Sequence, residues 1–159
     1  MIQTILTTVT IIFVLYRQLS EQAVKHKTKY YIIIILIGLF SALIQYHQIN
    51  WNTILVIAII IGDITFPALL GWLRAKYTRI WVNNDQLVTR KGNFMTIILW
   101  LIYIFIHGLI SYFIKDNENF MLFSIGISLL VQREVIWIDS QKKYPEQIKN
   151  NESIQKKKK

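Results

Sequence analysis

The chain has 159 residues, 53% of them hydrophobic, with a formal net charge of +9 and no cysteine. The missing cysteine excludes disulfides, thiolate chemistry and Cys-based metal sites. Net positive charge is compatible with nucleic-acid binding, but no recognition module is present. The basic residues lie between apolar blocks and in the tail, a distribution that a membrane surface explains better.

Five apolar blocks follow one another, each of roughly the twenty residues that span a bilayer as a helix. They cover about 2–16, 30–46, 53–73, 94–114 and 120–138. The first is short and rich in threonine (Thr4, Thr7, Thr8 and Thr10). It has neither a basic leader nor a small-residue cleavage site, so it reads as a retained helix rather than a signal peptide. The other blocks are long and lack alternation, which favours helices over strands. An isolated sheet in lipid would leave its edge groups unsatisfied. The expected fold is therefore an all-α integral membrane protein, a bundle of five transmembrane helices forming one domain over 1–140. Residues 141–159, "QKKYPEQIKNNESIQKKKK", are polar and basic and are expected to form a disordered tail. The tail lysines suit anionic lipid headgroups, or are only a solvated end.

Orientation follows from Lys and Arg. The first connection carries Arg17, Lys25, Lys27 and Lys29, and the third carries Arg74, Lys76, Arg79, Arg90 and Lys91. The rest lie from Arg133 to the end, except Lys115 in the fourth connection. Alternate connections are basic, which sets the N-terminus outside and the C-terminus in the cytoplasm. Tyr46, Trp51, Tyr112 and Phe120 gather at the outer ends of the blocks. Tyr16, Tyr30, Tyr31, Trp72, Trp81 and Trp137 gather at the inner ends, as amphipathic rings do at membrane interfaces. Within 77–92, the β-prone runs "RIWV" and "QLVT" flank Asn83-Asn84-Asp85. That pattern fits a small surface hairpin or an irregular connection.

Three stretches carry a family resemblance: "YRQL" (16–19), "GWLRAKYTRIWVNNDQLVTRKGNFMTIILWLI" (71–102) and "ISLLVQRE" (127–134). Their order resembles the CcdC-like family of small bacterial multi-pass membrane proteins. The fourth block departs from a related pattern by carrying His107 where that pattern has Arg. The resemblance implies residence in the bacterial cytoplasmic membrane. One branch is associated with cytochrome c maturation genes, but a chain without cysteine exchanges no disulfides and attaches no haem.

Asp63 is the most informative polar residue. A charged group at the centre of a membrane helix costs roughly 2.5–3.5 kcal/mol, and such residues are functional candidates. Asp63 lies about ten residues into its block, roughly 15 Å deep. Pro67 has no N–H, so the Asp63 carbonyl loses its usual helical donor, and Gly62 leaves room for a neighbour or a water. Arg133 and His107 reach depths of about 20 Å and 10 Å by the same rise. The sharp expectation is a buried Asp63–Arg133 pair with His107 above it. The bland readings are a snorkelling Arg133, a neutral structural Asp63, a packing His107 and a Pro67 that only kinks its helix. Ser124, Gly126 and Ser128 form a small-residue face suited to close helix packing. Arg74, Lys76, Arg79, Arg90 and Lys91 are expected at the membrane surface.

Protease, hydrolase, P-loop and dinucleotide signatures are absent from the sequence. His26, His47 and His107 fall in three different regions and form no metal site. The sequence thus implies no enzyme and no cofactor or metal. It points to an accessory protein that binds lipid and a membrane partner or a second copy of itself, without nucleic acid, in assembly, stress or immunity. The alternative is a small transporter or channel component using the intramembrane carboxylate.

Overall fold

A computed structural model describes residues 12, 16–26, 28–46, 53–113 and 121–157, with 41–46, 53–60, 110–113 and 157 by backbone alone. Its elements are β1 (Gln22–Ala23), α1 (Thr28–Tyr46), α2 (Thr53–Tyr77), β2 (Arg79–Val82), β3 (Val88–Lys91), α3 (Phe94–Phe113), α4 (Met121–Lys143) and α5 (Pro145–Lys157). Apart from Ile12 and Tyr16, the first apolar block lies outside the described residues.

The five-crossing bundle is not what the structure supports. Among the described residues, one helix, α4, is long and apolar enough to cross a membrane, and half of its apolar window is buried inside the protein. The apolar stretches Thr28–Phe40 and Phe94–Leu109 are shorter. The helix α2 carries Asp63, Arg74 and Lys76. The alternation that placed the N-terminus outside depended on five crossings and falls with them.

The described fold is mostly helical with a small three-stranded sheet. The runs on either side of Asn83 pair as antiparallel strands, Arg79 opposite Lys91 and Trp81 opposite Thr89. The Asn83 side chain accepts from the amides of Asp85 and Leu87 at 3.1 and 2.9 Å. The left-handed residue of the turn is Gln86, at φ 55°. The unexpected strand is β1, which joins the other edge of β3 with Gln22 opposite Arg90, giving the order β1-β3-β2.

The expected disordered tail is also corrected. The α4 helix continues to Lys143, and α5 follows. Asn151 holds α5 to the sheet by accepting from the Val88 amide at 2.9 Å. It also donates to the carbonyls of Val24 and Val88 at 2.9 and 2.8 Å. These bonds satisfy the Val88 amide and the Val24 carbonyl where β1 ends beside the central strand, and the Val88 carbonyl also accepts from the Val24 amide at 2.9 Å. Ile148 is buried beside them, among Val24, Ala75, Val88, Ile136 and Trp137.

A second cluster, of Leu70, Leu99, Trp100, Tyr103, Ile125 and Leu129, fills the space between α2, α3 and α4. The α4 helix supplies both clusters. Its neighbours approach it through small residues, since close backbone contact needs positions without bulk. A Cβ at Gly38 on α1 would strike the Phe123 backbone, and one at Gly71 on α2 would strike the Ser128 carbonyl. A Cβ at Gly126 would meet the Ile35 side chain at 2.8 Å. Gly62, by contrast, faces open space.

These contacts set a sharp contrast. Gly71→Val should destabilise the protein by about 1–3 kcal/mol, because backbone cannot yield to the added methyls. Gly62→Ala should be neutral or stabilise by up to about 1 kcal/mol, through helix propensity alone. Thermal unfolding of the two variants in one detergent checks both.

Candidate functional site

Polar side chains form a column along the seam of α2, α3 and α4. On α2, Asp63, Pro67, Leu70 and Arg74 recur at helical spacing, as do Thr96, Trp100, Tyr103 and His107 on α3 and Ser124, Ser128 and Gln132 on α4. That three- and four-residue spacing puts each set on one face.

Farthest from the sheet, the Asp63 carboxylate faces the His107 ring, with Oδ1 to Nε2 at 3.9 Å. The two residues are 6% and 4% exposed. This separation is too long for a hydrogen bond, and Asp63 Oδ2 and His107 Nε2 have no hydrogen-bond partner. Burial so complete demands a pair that is neutral as a whole, either carboxyl with imidazole or carboxylate with imidazolium. A single proton moving between the two residues interconverts those states.

One turn along α3, the Tyr103 ring lies tilted beside His107, with ring centroids 5.7 Å apart, and its hydroxyl donates to Ser124 Oγ at 3.0 Å. Next comes Arg74, fully buried. Its guanidinium lies 3.9 Å from the Trp100 ring centroid, an attractive cation–π placement. It donates to the Leu70 carbonyl at 3.3 Å and to the Ser128 hydroxyl. Ser128 in turn donates to the Pro67 carbonyl at 2.7 Å. At the sheet end of the column, the Gln18 and Gln132 amides exchange two hydrogen bonds at 2.8 and 3.1 Å.

The structure sorts the expected site residues. Asp63 and His107 are brought together, and Pro67 lies in the same column, its own carbonyl held by Ser128. Arg133 does not meet Asp63. Its guanidinium sits over Tyr31 of α1, 5.9 Å from the ring centroid. The cause is helical rotation: Ser124, Ser128 and Gln132 occupy the buried face of α4, and the residue after Gln132 turns about 100° away.

Of the basic residues expected at the surface, Lys76, Arg79 and Lys91 are exposed. Lys76 pairs with Asp139 at 3.0 Å. Arg79 and Lys91 flank a cleft of about 800 Å³ with Trp81, Gly92 and Lys143. Arg74 and Arg90 are instead buried, the latter bonding Gln22 at 3.3 Å. Tyr103, Ser124 and the Gln18–Gln132 pair were not marked as functional by the sequence. The i, i+4 spacing of Ser124, Ser128 and Gln132 was the available signal.

Among the described residues, no group of three or more His, Asp or Glu side chains is gathered to hold a metal ion. No family model, curated protein or solved structure matches this chain.

The cysteine-free background allows a direct check of the pairing. Asp63→Cys combined with His107→Cys should be joined by a short bifunctional thiol reagent. Asp63→Cys combined with Arg133→Cys should not, as read by mobility after cleavage of an engineered loop.

Proposed function

We propose that this is a non-enzymatic accessory protein of the bacterial cytoplasmic membrane that acts by binding a membrane partner in assembly, stress response or immunity. It is held in lipid by α4 and by the apolar faces of the helices around it. The observation that carries the reading is the division of its surface. At the helical end, Ile33, Ile37 and Phe40 of α1 and Leu101 and Phe105 of α3 are more than half exposed. Apolar stripes of this extent are unusual on a chain that meets only water, and mark an interaction surface. At the sheet end, the exposed side chains include Arg79, Lys91, Lys142, Lys143 and Lys149. Tyr16, Tyr30, Trp72 and Tyr77 are exposed between the two regions, where amphipathic rings favour a membrane interface. Resemblance to CcdC-like proteins supports the bacterial setting.

The second reading, a transporter or channel component, is favoured by one observation, the buried Asp63–His107 pair. Titratable couples at membrane depth serve as proton relays in pumps and transporters.

The protein should stay in the membrane pellet after an alkaline carbonate wash, and release into the supernatant would overturn the membrane reading. Asp63→Cys in open membrane fragments should then resist a water-soluble thiol reagent that labels Lys149→Cys. Labelling at position 63 would mean an aqueous path to the buried pair and would replace the accessory reading with transport.

A further inference from the structure

We infer that Arg90, Arg133 and Arg17 form a binding site for a phosphate-type anion, where the β-sheet meets α4 and the start of α1. The geometry is fixed by the residues around Gln18. Its side chain is bonded to Gln132, the neighbour of Arg133 on α4. Its carbonyl accepts from the Gly92 amide at 2.8 Å, at the end of the strand that carries Arg90. Arg17 precedes it directly. The Gln22–Arg90 pairing closes the other side, with Arg90 Nη2 donating to Gln22 Oε1 at 3.3 Å. Tyr31 places its ring under the Arg133 guanidinium.

Among the described ion pairs the cations are His26, Lys76, His107 and Lys149, and none is Arg90 or Arg133. Nearby Glu134 is engaged by Thr28 and by His26, the latter at 3.4 Å. The Nε atoms of Arg90 and Arg133 are both buried without a hydrogen-bond partner. A buried guanidinium left unpaired is strongly unfavourable. Burial pushes Arg90 well below its ordinary value, Arg133 adds like-charge repulsion that Tyr31 partly opposes, and Arg17 adds a lesser repulsion. Arginine does not give up its proton in proteins, so this direction expresses the strain of holding it charged. An anion relieves that strain. The planar guanidinium fork matches phosphate oxygens bidentately. Arg90 forms the floor, 2% exposed, and the partly exposed Arg133 and exposed Arg17 form the entrance. A phosphodiester headgroup of an anionic lipid and a free phosphate share this chemistry. The site does not depend on the partner-binding reading.

The test is thermal unfolding of the full chain in nanodiscs. Phosphatidylglycerol discs, or inorganic phosphate added to phosphatidylcholine discs at matched ionic strength, should raise Tm. Arg133→Gln, at a partly exposed position, should weaken the apparent affinity by about tenfold to a hundredfold. Lys149→Gln should keep it. A rise with phosphatidylglycerol alone identifies a lipid headgroup, and a rise with inorganic phosphate in phosphatidylcholine identifies a soluble phosphate. If neither raises Tm above a chloride control, or if Arg133→Gln responds as the parent does, the site is refuted. Arg17→Gln is the second variant should Arg133→Gln unfold, and an unchanged response there overturns the proposal equally.

Discussion

The close approach of two helices to α4 is the constraint from which the rest of the structure follows. Gly38 and Gly71 let α1 and α2 come to backbone contact with α4, at Phe123 and Ser128. Contact at that range leaves no room for side-chain bulk where Gly71 meets Ser128, and Leu70, Leu129 and Arg74 pack around that point. Ser128 answers two needs at once, closing on the Pro67 carbonyl and receiving Arg74. Further along, α4 changes character. After Gln132, Arg133 and Glu134 it supplies Ile136 and Trp137 to the cluster beneath the sheet. One helix thus links an apolar end to a polar end, and the change falls within a single turn.

The two ends manage buried charge differently. At the helical end, Asp63 and His107 can cancel one another, and the Arg74 guanidinium is spread over an indole ring and two oxygen acceptors. At the sheet end, neither Arg90 nor Arg133 belongs to an ion pair among the described residues. The first arrangement offers its charged groups partners within the fold, while Asp63 Oδ2, His107 Nε2 and Arg74 Nη1 keep none. The second is complete only with an anion from outside.

Much of the helical layout was legible in the sequence. The apolar blocks mark where α1 to α4 lie, because twenty-residue runs of Ile, Leu and Phe without alternation leave little choice of local structure. The hairpin was legible in "RIWVNNDQLVT", since Asn and Asp tolerate the turn. The number of crossings was not. A hydropathy window cannot tell a side chain facing lipid from one facing a neighbouring helix, and half of the α4 window faces inward. The docked α5 was hidden as well. Its polar composition resembles a solvated tail, and Asn151 makes it structural only because three sheet groups point at it. Asp63 was visible as an anomaly, but its partner was not. Residue counting gave depth along each helix and said nothing of rotation, which decides between His107 and Arg133.

The measurement that tests this two-ended account most directly is a depth profile by site-directed spin labelling in vesicles. Labels at Ile37, Phe105 and Leu122 sample the apolar end, and labels at Gln141 and Lys149 sample the polar end. The account predicts that oxygen relaxes the first three labels more strongly and a water-soluble nickel chelate the last two, with the crossover near residues 132–134. Uniform access of the chelate to all five positions would contradict it, as would a crossover at any other level of α4.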